Sequence, residues 1–326
     1  MTARNWILAA ASIVVLLAVL LVHSNVHSAS SKLPGPHWPI DNSSPSAIEA
    51  DLKKGVLRPT FADLAYADDS PFEKLDLYLP KQRNSLAPLV IWIHGGAFHA
   101  GDKRSMPRRN FGPPPLLAGT MQPYQEQVPD AIGLIAKGYA VVSLNYRLAS
   151  EETDEARTAG FQDGKSAVRF LRANASKYNL DPSKFAVWGN SAGGYIAAIL
   201  GVTGDQMTIF DNPTSPDARV SNAVQAVVVW FGTIDGIFFP PDIRTVHYIP
   251  MAKVLPPFLI AHGDTDQRVP VESARKLNAA LLSAGASSTL TILHGAGHSD
   301  PAFMATQMIP TFAFLDKVLG RQGDPH

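Results

Sequence analysis

Residues 189–193 read Gly-Asn-Ser-Ala-Gly, and this spacing of a serine between two glycines is typical of a nucleophile elbow. The preceding residues 185–188 form a short apolar run that predicts a strand buried on both faces. Helix-compatible residues 195–200 follow the glycine-flanked serine. A sharp turn from strand to helix strains the central residue and tolerates only small neighbours. The pattern therefore predicts Ser191 as a nucleophile, although a glycine-rich turn without chemistry would look the same.

A serine hydroxyl is a weak nucleophile, so it needs a base and a group that orients the base. Two segments offer such groups, H-G-D-T-D-Q-R-V-P at 262–270 and H-G-A-G-H at 294–298. Each follows an apolar run that predicts a strand, so both should lie at the carboxyl edge of a parallel sheet. The resulting order of serine, aspartate and histidine is the one expected for an α/β-hydrolase fold.

Two aspartates and three histidines compete for these roles. Asp266 is favoured as the acid because it lies further from its strand than Asp264, where a carboxylate can reach the neighbouring loop. His298 is favoured as the base because two glycines before it let the loop turn over the sheet. His262 and His294 are expected to brace loops or line a pocket.

The segment H-G-G-A-F at 94–98 follows another apolar run that predicts a strand. Paired glycines allow backbone N–H groups to point at an oxyanion, so Gly95, Gly96 and Ala192 are the predicted donors. A simple tight turn is the alternative interpretation. The ring of His94 is expected to hold this loop rather than to exchange protons.

Aromatic residues near these loops predict the substrate cleft. Phe98 and Trp230 are expected to contact the substrate, and Phe238 and Phe239 are expected to form an opposing wall. The segment 106–129 contains three consecutive prolines, which favour a fixed wall over a swinging one. Coverage of a sheet edge by this segment, with both phenylalanines in the core, is the alternative.

Taken together, H-G-G-A-F, G-N-S-A-G-G, H-G-D-T-D-Q-R-V-P and G-A-G-H resemble the motifs of hormone-sensitive-lipase-like α/β-hydrolase esterases. The resemblance is greatest to feruloyl and acetyl-xylan carboxylesterases with a BD-FAE-like domain, and it covers about residues 61–319. It implies the site assignments made above and hydrolysis of short acyl or aromatic esters without a cofactor. The chain departs from the family at 106–129 and 233–253, so the substrate stays open.

Composition excludes several functions. The 326 residues carry 28 basic and 28 acidic side chains, and this balance argues against a nucleic-acid partner. The chain has no cysteine, which rules out disulfides, thiol catalysis and thiolate metal sites. No metal is expected, since the histidines lack the helix spacing of H-E-x-x-H. The expected partner is a small-molecule ester, and the sequence leaves the oligomeric state open.

The N-terminus predicts export. Residues 1–28 have a basic start, an apolar middle and a polar end, as in a signal peptide of a periplasmic or secreted protein. A membrane anchor through residues 6–22 is the alternative. Residues 29–60 are predicted to be a linker and extension, and residues 61–320 a single catalytic domain.

Alternating strand and helix patterns in this domain predict an α/β class with an α/β-hydrolase fold, a mostly parallel central sheet with helices on both faces. Strands are predicted at 61–66, 75–79, 89–93, 140–144, 185–188, 224–230, 258–261 and 289–293, and helices at 161–178, 271–284 and 303–319. Three rivals to an esterase share this fold. A prolyl-oligopeptidase-like peptidase usually has a propeller, for which the segment before residue 61 is too short. An arylformamidase-like amidase stays open, and a non-catalytic binding protein would usually have lost a triad residue.

Overall fold

The fold is described from a computed structural model, for residues 57–81, 85–105, 129–232 and 239–320. Within these ranges there are eight β-strands, and from the third strand onward helices separate each strand from the next. The strands are β1 (Phe61–Ala65), β2 (Lys74–Tyr78), β3 (Ala87–Ile93), β4 (Ala140–Leu144), β5 (Leu180–Asn190), β6 (Ala226–Trp230), β7 (Phe258–Gly263) and β8 (Ser288–Leu293). The α-helices are α1 (Ala131–Ala136), α2 (Asp154–Ala173), α3 (Ala175–Tyr178), α4 (Ala192–Thr203), α5 (Thr245–Tyr248), α6 (Val271–Ser283) and α7 (Ala302–Leu319).

All eight strands join one sheet in the order β1-β2-β4-β3-β5-β6-β7-β8. The β1–β2 and β2–β4 pairs are antiparallel, and every other neighbouring pair is parallel. The six parallel strands β3 to β8 therefore end at one edge of the sheet, where the loops after them meet. This is the mostly parallel sheet that the sequence predicts.

Both faces of the sheet are buried, as the continuous apolar runs predict. On β3, Leu89 and Ile91 pack into a core cluster with side chains of α2, α4 and α6. Val90 and Trp92 point to the other face and pack with side chains of α1 and α7. Because successive strand side chains alternate between faces, one apolar run supplies both layers of helices with a core.

The structure corrects one helix boundary. The apolar spacing predicts a single helix over 161–178, but α2 begins earlier, at an N-cap where Thr153 Oγ1 accepts from Ala156 N at 3.2 Å. The helix then stops at Asn174, whose side-chain amide donates to Phe170 O at 2.9 Å. An asparagine side chain that bonds a backbone carbonyl of the preceding turn competes with helix continuation, so the last turn becomes the separate α3.

Several predictions fall outside the described residues. These are the leader at 1–28, most of the extension at 29–60, nearly all of the 106–129 segment, and Phe238. Among the described helices, none is long and apolar enough to cross a membrane.

Candidate active site

The three side chains with the strongest chemical signal all follow strands of the parallel part of the sheet. Ser191 comes directly after β5, Asp266 lies three residues after β7, and His298 lies five residues after β8. These strands occur in the order β5-β6-β7-β8, so their carboxyl ends lie along one edge. The sheet topology thus brings residues from distant parts of the chain to one place.

The turn at Ser191 has the strained backbone that an elbow requires. Its φ is 53° and its ψ is −121°, and helix α4 begins at the next residue. A Cβ on Gly189 would lie 2.0 Å from Gly193 O, and a Cβ on Gly193 would lie 2.1 Å from Ile93 O. Side chains at either glycine would therefore overlap backbone atoms. Ser191 N donates to Trp230 O at 3.0 Å, which fixes the turn against β6.

A hydrogen-bonded chain connects the three side chains. His298 Nε2 lies 3.0 Å from Ser191 Oγ, and His298 Nδ1 lies 2.8 Å from Asp266 Oδ2. A carboxylate can only accept, so Nδ1 carries the hydrogen and Nε2 of the neutral ring presents its lone pair to the serine. The imidazole is 8% exposed and the carboxylate is fully buried. This arrangement can move a proton from the hydroxyl to the ring.

Asp266 is held by more groups than His298 alone. The amides of Arg268 and Val269 donate to its Oδ1, each at 2.9 Å. The fully buried His262 places its Nε2 3.3 Å from Oδ2 and 2.9 Å from Val269 O. Burial alone would raise the pKa of Asp266, but hydrogen bonds from His262, His298 and Val269 outweigh it and hold that pKa well below its usual range. The carboxylate is therefore charged at neutral pH.

The rival aspartate belongs to a separate pair. Asp264 Oδ2 lies 2.7 Å from Nδ1 of His294, and Asp264 Oδ1 accepts from Gly295 N at 2.7 Å. The side chain of His294 is 88% exposed. These contacts join the loops after β7 and β8, which is the bracing role that the sequence suggests for Asp264 and His294.

Phe231 supports His298, and the sequence gives no signal for it. Its ring lies 5.0 Å from the imidazole at 72°, and it packs against Phe303 at 4.6 Å. Phe231 is fully buried and has a φ of 37°, a strained value for a bulky residue. The backbone thus turns its ring under the imidazole, and only the folded arrangement of β6 and β8 reveals the contact.

The loop after β3 also has unusual backbone angles. Gly96, Ala97 and Phe98 have φ values of 108°, 53° and 62°. A Cβ on Gly96 would lie 2.1 Å from Ala100 O, so this position requires glycine. Since β3 and β5 are neighbours, the loop with Gly95 and Gly96 emerges beside Ser191 at the same sheet edge.

Two predicted substrate contacts do not fit their positions in the fold. Phe98 and Trp230 are both fully buried. Phe98 packs edge-on among Tyr146, Phe161 and Tyr195, and Trp230 packs against Trp188 and Phe303. The positive φ of Phe98 directs its ring into the core, and the alternation along β6 directs Trp230 inward. Both side chains therefore belong to the core and do not line a substrate cleft.

Phe239 is partly buried, and its ring contacts two neighbouring side chains. One face stacks on Tyr195 at 5.9 Å and 10°, and the guanidinium of Arg157 lies 3.9 Å from the ring centroid. Phe238 lies outside the described residues, so the paired wall stays a prediction.

Among the described residues, no group of three or more histidine, aspartate or glutamate side chains is arranged to hold a metal ion.

Known proteins are similar to this chain in sequence and in fold. The sequence model of the BD-FAE family matches residues 75–113 and 117–241, which include the loop after β3 and the elbow. The chain belongs to the BD-FAE family. The resemblance drawn from the motifs is thereby confirmed.

Two curated relatives of the chain are esterases. The isoprenylcysteine alpha-carbonyl methylesterase ICME of Arabidopsis thaliana is 24% identical over 75% of this chain and 61% of its own length. Esterase LipC of Mycobacterium tuberculosis is 28% identical over 72% of this chain and 58% of its own length. The chain thus spans about three fifths of these relatives.

Solved structures confirm the α/β-hydrolase fold. A truncated carbohydrate esterase from gut microbiota matches with a TM-score of 0.66 and 27% identity, covering 80% of this chain and 96% of that one. Esterase 2 of Thermogutta terrifontis in its butyrate-bound form matches with a TM-score of 0.63 and 20% identity, covering 82% of this chain and 97% of that one.

Proposed function

We propose that this protein is a serine carboxylesterase that hydrolyses short-chain or aromatic acyl esters through an acyl-enzyme. The observation that carries the proposal is the continuous hydrogen-bonded chain from Ser191 through His298 to the buried, ionised Asp266. Ser191 lies at an elbow turn, and a Cβ on Gly189 or Gly193 of that turn would overlap backbone atoms.

In the first half-reaction, His298 Nε2 takes the hydroxyl proton as Ser191 Oγ bonds to the ester carbonyl carbon. The carbonyl π electrons move to oxygen, and the amides of Gly95, Gly96 and Ala192 are proposed to stabilise that oxyanion. The tetrahedral adduct then collapses, the bond to the alcohol oxygen breaks, and His298 returns its proton to the leaving alcohol.

In the second half-reaction, water replaces the alcohol. His298 accepts a proton from the water as the water oxygen bonds to the acyl carbon. The new tetrahedral adduct then expels Ser191 Oγ. The proton returns to the serine, and the acid product leaves. Asp266 stays charged throughout, holding the Nδ1–H and stabilising the imidazolium that forms twice in each cycle.

The relatives support ester hydrolysis as the reaction class. The curated relatives and both structural neighbours named above carry esterase in their names, and butyrate occupies one of the neighbours. Phe239 and the proline-rich segment at 106–129 are the proposed walls of a narrow cleft. Short acyl groups and planar aromatic acids are therefore the proposed substrates. We further propose that residues 1–28 direct export, either as a signal peptide that is cleaved or as a membrane anchor that is retained.

The test is a matched panel of substrates. p-Nitrophenyl esters with acyl chains of increasing length are assayed beside feruloylated and acetylated sugars and beside p-nitroanilides of the same acids. Hydrolysis of short or aromatic esters, with loss of activity in Ser191→Ala, supports the proposal. Faster turnover of the anilides would indicate an amidase or peptidase instead. A folded protein that hydrolyses no member of the panel would contradict the proposal.

A further inference from the structure

Tyr146 lies two residues after β4 and packs beneath the loop that begins at His94. It is fully buried. Its hydroxyl donates to His94 O at 3.1 Å and lies 3.3 Å from Gly95 O. Its ring stacks on the imidazole of His94 at 4.5 Å and 20°. Tyr146 therefore contacts the carbonyl oxygens of His94 and Gly95 and the imidazole ring of His94.

His94 holds the same loop from its own side chain. Its Nδ1 lies 2.7 Å from Gly95 O, and it is the donor because a carbonyl only accepts. The ring is fully buried, and a Cβ on Gly101 would lie 2.1 Å from Nδ1. The imidazole is thus enclosed between the backbone at Gly101 and the ring of Tyr146.

These contacts fix the direction of a backbone amide. In a planar trans peptide, the C=O of one residue and the N–H of the next point in opposite directions. The Gly95 carbonyl points at His94 and Tyr146, so the Gly96 N–H points away from them. Beyond it, Gly96 O accepts from the amides of His99 and Ala100 at 3.1 and 2.9 Å, which anchors the following peptide.

We propose that Tyr146 is a positioning residue that aims the backbone amides of this loop at the developing oxyanion. The inference rests on the proposed esterase function, because it concerns the oxyanion of that reaction. Loss of a whole oxyanion donor costs about 10²–10³ in kcat. Removal of the tyrosine hydroxyl loosens a donor without deleting it, so a loss of about tenfold in kcat is expected.

The test compares Tyr146→Phe with Tyr139→Phe. Tyr139 is also fully buried, and its hydroxyl donates to Asp316 Oδ1 at 2.8 Å at the amino end of β4, away from the serine. Two inhibitors of one shape are used, an aryl trifluoromethyl ketone and the matching aryl methyl ketone. The first adds to the serine and forms an oxyanion, whereas the second binds without forming one.

Tyr146→Phe should lower kcat and the affinity for the trifluoromethyl ketone by the same factor, about tenfold, because both depend on the oxyanion. KM and the affinity for the methyl ketone should stay unchanged. Tyr139→Phe should leave all four values unchanged. Wild-type kcat in folded Tyr146→Phe, or an equal loss of affinity for both ketones, would overturn the assignment.

If Tyr146→Phe does not fold, 3-fluorotyrosine at position 146 keeps the ring and strengthens the hydroxyl as a donor. A parallel change in kcat and in trifluoromethyl ketone affinity then supports the role, and no change in either overturns it. The unmodified protein separates the two claims. If it neither hydrolyses esters nor binds the trifluoromethyl ketone, the proposed function itself fails.

Discussion

Replacing Asp266 by asparagine should abolish most activity through the hydrogen-bond pattern alone. Oδ1 accepts two backbone amides, so the oxygen of the new side-chain amide is expected to stay there. Its NH₂ group then faces His298 Nδ1, where Oδ2 now accepts. Two donors cannot share a hydrogen bond, so Nδ1 must become the acceptor and Nε2 the protonated nitrogen. The ring can then no longer accept the proton of Ser191.

The expected loss follows from this tautomer. The wrong tautomer in a Ser-His-Asp triad lowers kcat by about 10⁴. At about 1.36 kcal/mol for each tenfold change, this equals about 5.5 kcal/mol of activation free energy. KM should change little, because the substitution alters proton transfer and not the cleft.

Asp264→Asn is the matched control. It makes the same chemical change in the same loop, and Asp264 also contacts a histidine Nδ1 and a backbone amide. Its partner His294 is 88% exposed, whereas the histidine bonded to Ser191 is His298. The pKa of Asp264 is lowered by hydrogen bonds from Gly295 and His294, so its replacement should mainly weaken the joined loops. We expect kcat to stay within about twofold of wild type.

Steady-state kinetics on p-nitrophenyl acetate, with circular dichroism and Tm for each variant, provide the assay. A folded Asp266→Asn variant that retains more than a few per cent of kcat would contradict the assignment of Asp266 as the acid. Loss of turnover in Asp264→Asn would contradict it as well.

Three further experiments test the elbow turn, a buried carboxyl group and the N-terminal segment. Gly193→Ala should lower kcat/KM about 100-fold or more, or prevent folding, because the new Cβ would lie 2.1 Å from the carbonyl oxygen of Ile93. Gly297→Ala is the control, since a Cβ there meets no atom within 4 Å, and this variant should remain active. Burial and the neighbouring Asp163 raise the pKa of Glu73 from 4.5 to about 7. The folded state therefore keeps this proton to a higher pH than the unfolded chain does. Urea unfolding should show that the contribution of Glu73 to stability falls as pH rises from 4.5 to 7, and Glu73→Gln should flatten the profile. Intact mass of the protein expressed from its full sequence should show removal of residues 1–28, and an uncleaved chain in the membrane pellet would mean an anchor instead.

The sequence predicts the parts of this fold that depend on local pattern. Apolar runs such as Leu89–Ile93 mark buried strands, and glycine spacing around Ser191 marks the turn between β5 and α4. Since parallel strands end at one edge, chain order alone is enough to expect that the loops after β5, β7 and β8 meet. The preference for Asp266 over Asp264 also follows from local spacing, and the structure gives each aspartate a different histidine. Their catalytic and bracing roles stay predictions until the variants are measured.

Contacts between remote segments could not be predicted in this way. An aromatic residue after a strand can line a cleft or fill the core, and only tertiary packing decides between them. Phe98 and Trp230 fill the core, whereas the sequence suggested a cleft. The contacts of Phe231 with His298 and of Tyr146 with the loop at His94 likewise join segments far apart in the chain.

The central claim is that Ser191 is the nucleophile of an ester hydrolase, and an active-site label tests it most directly. The protein is incubated with an aryl fluorophosphonate, and intact and peptide masses are measured beside residual esterase activity. We expect one phosphonyl group per chain, located on Ser191, with inactivation in proportion to labelling and no label in Ser191→Ala. Full esterase activity without any label at Ser191, or labelling and inactivation through another residue, would contradict it.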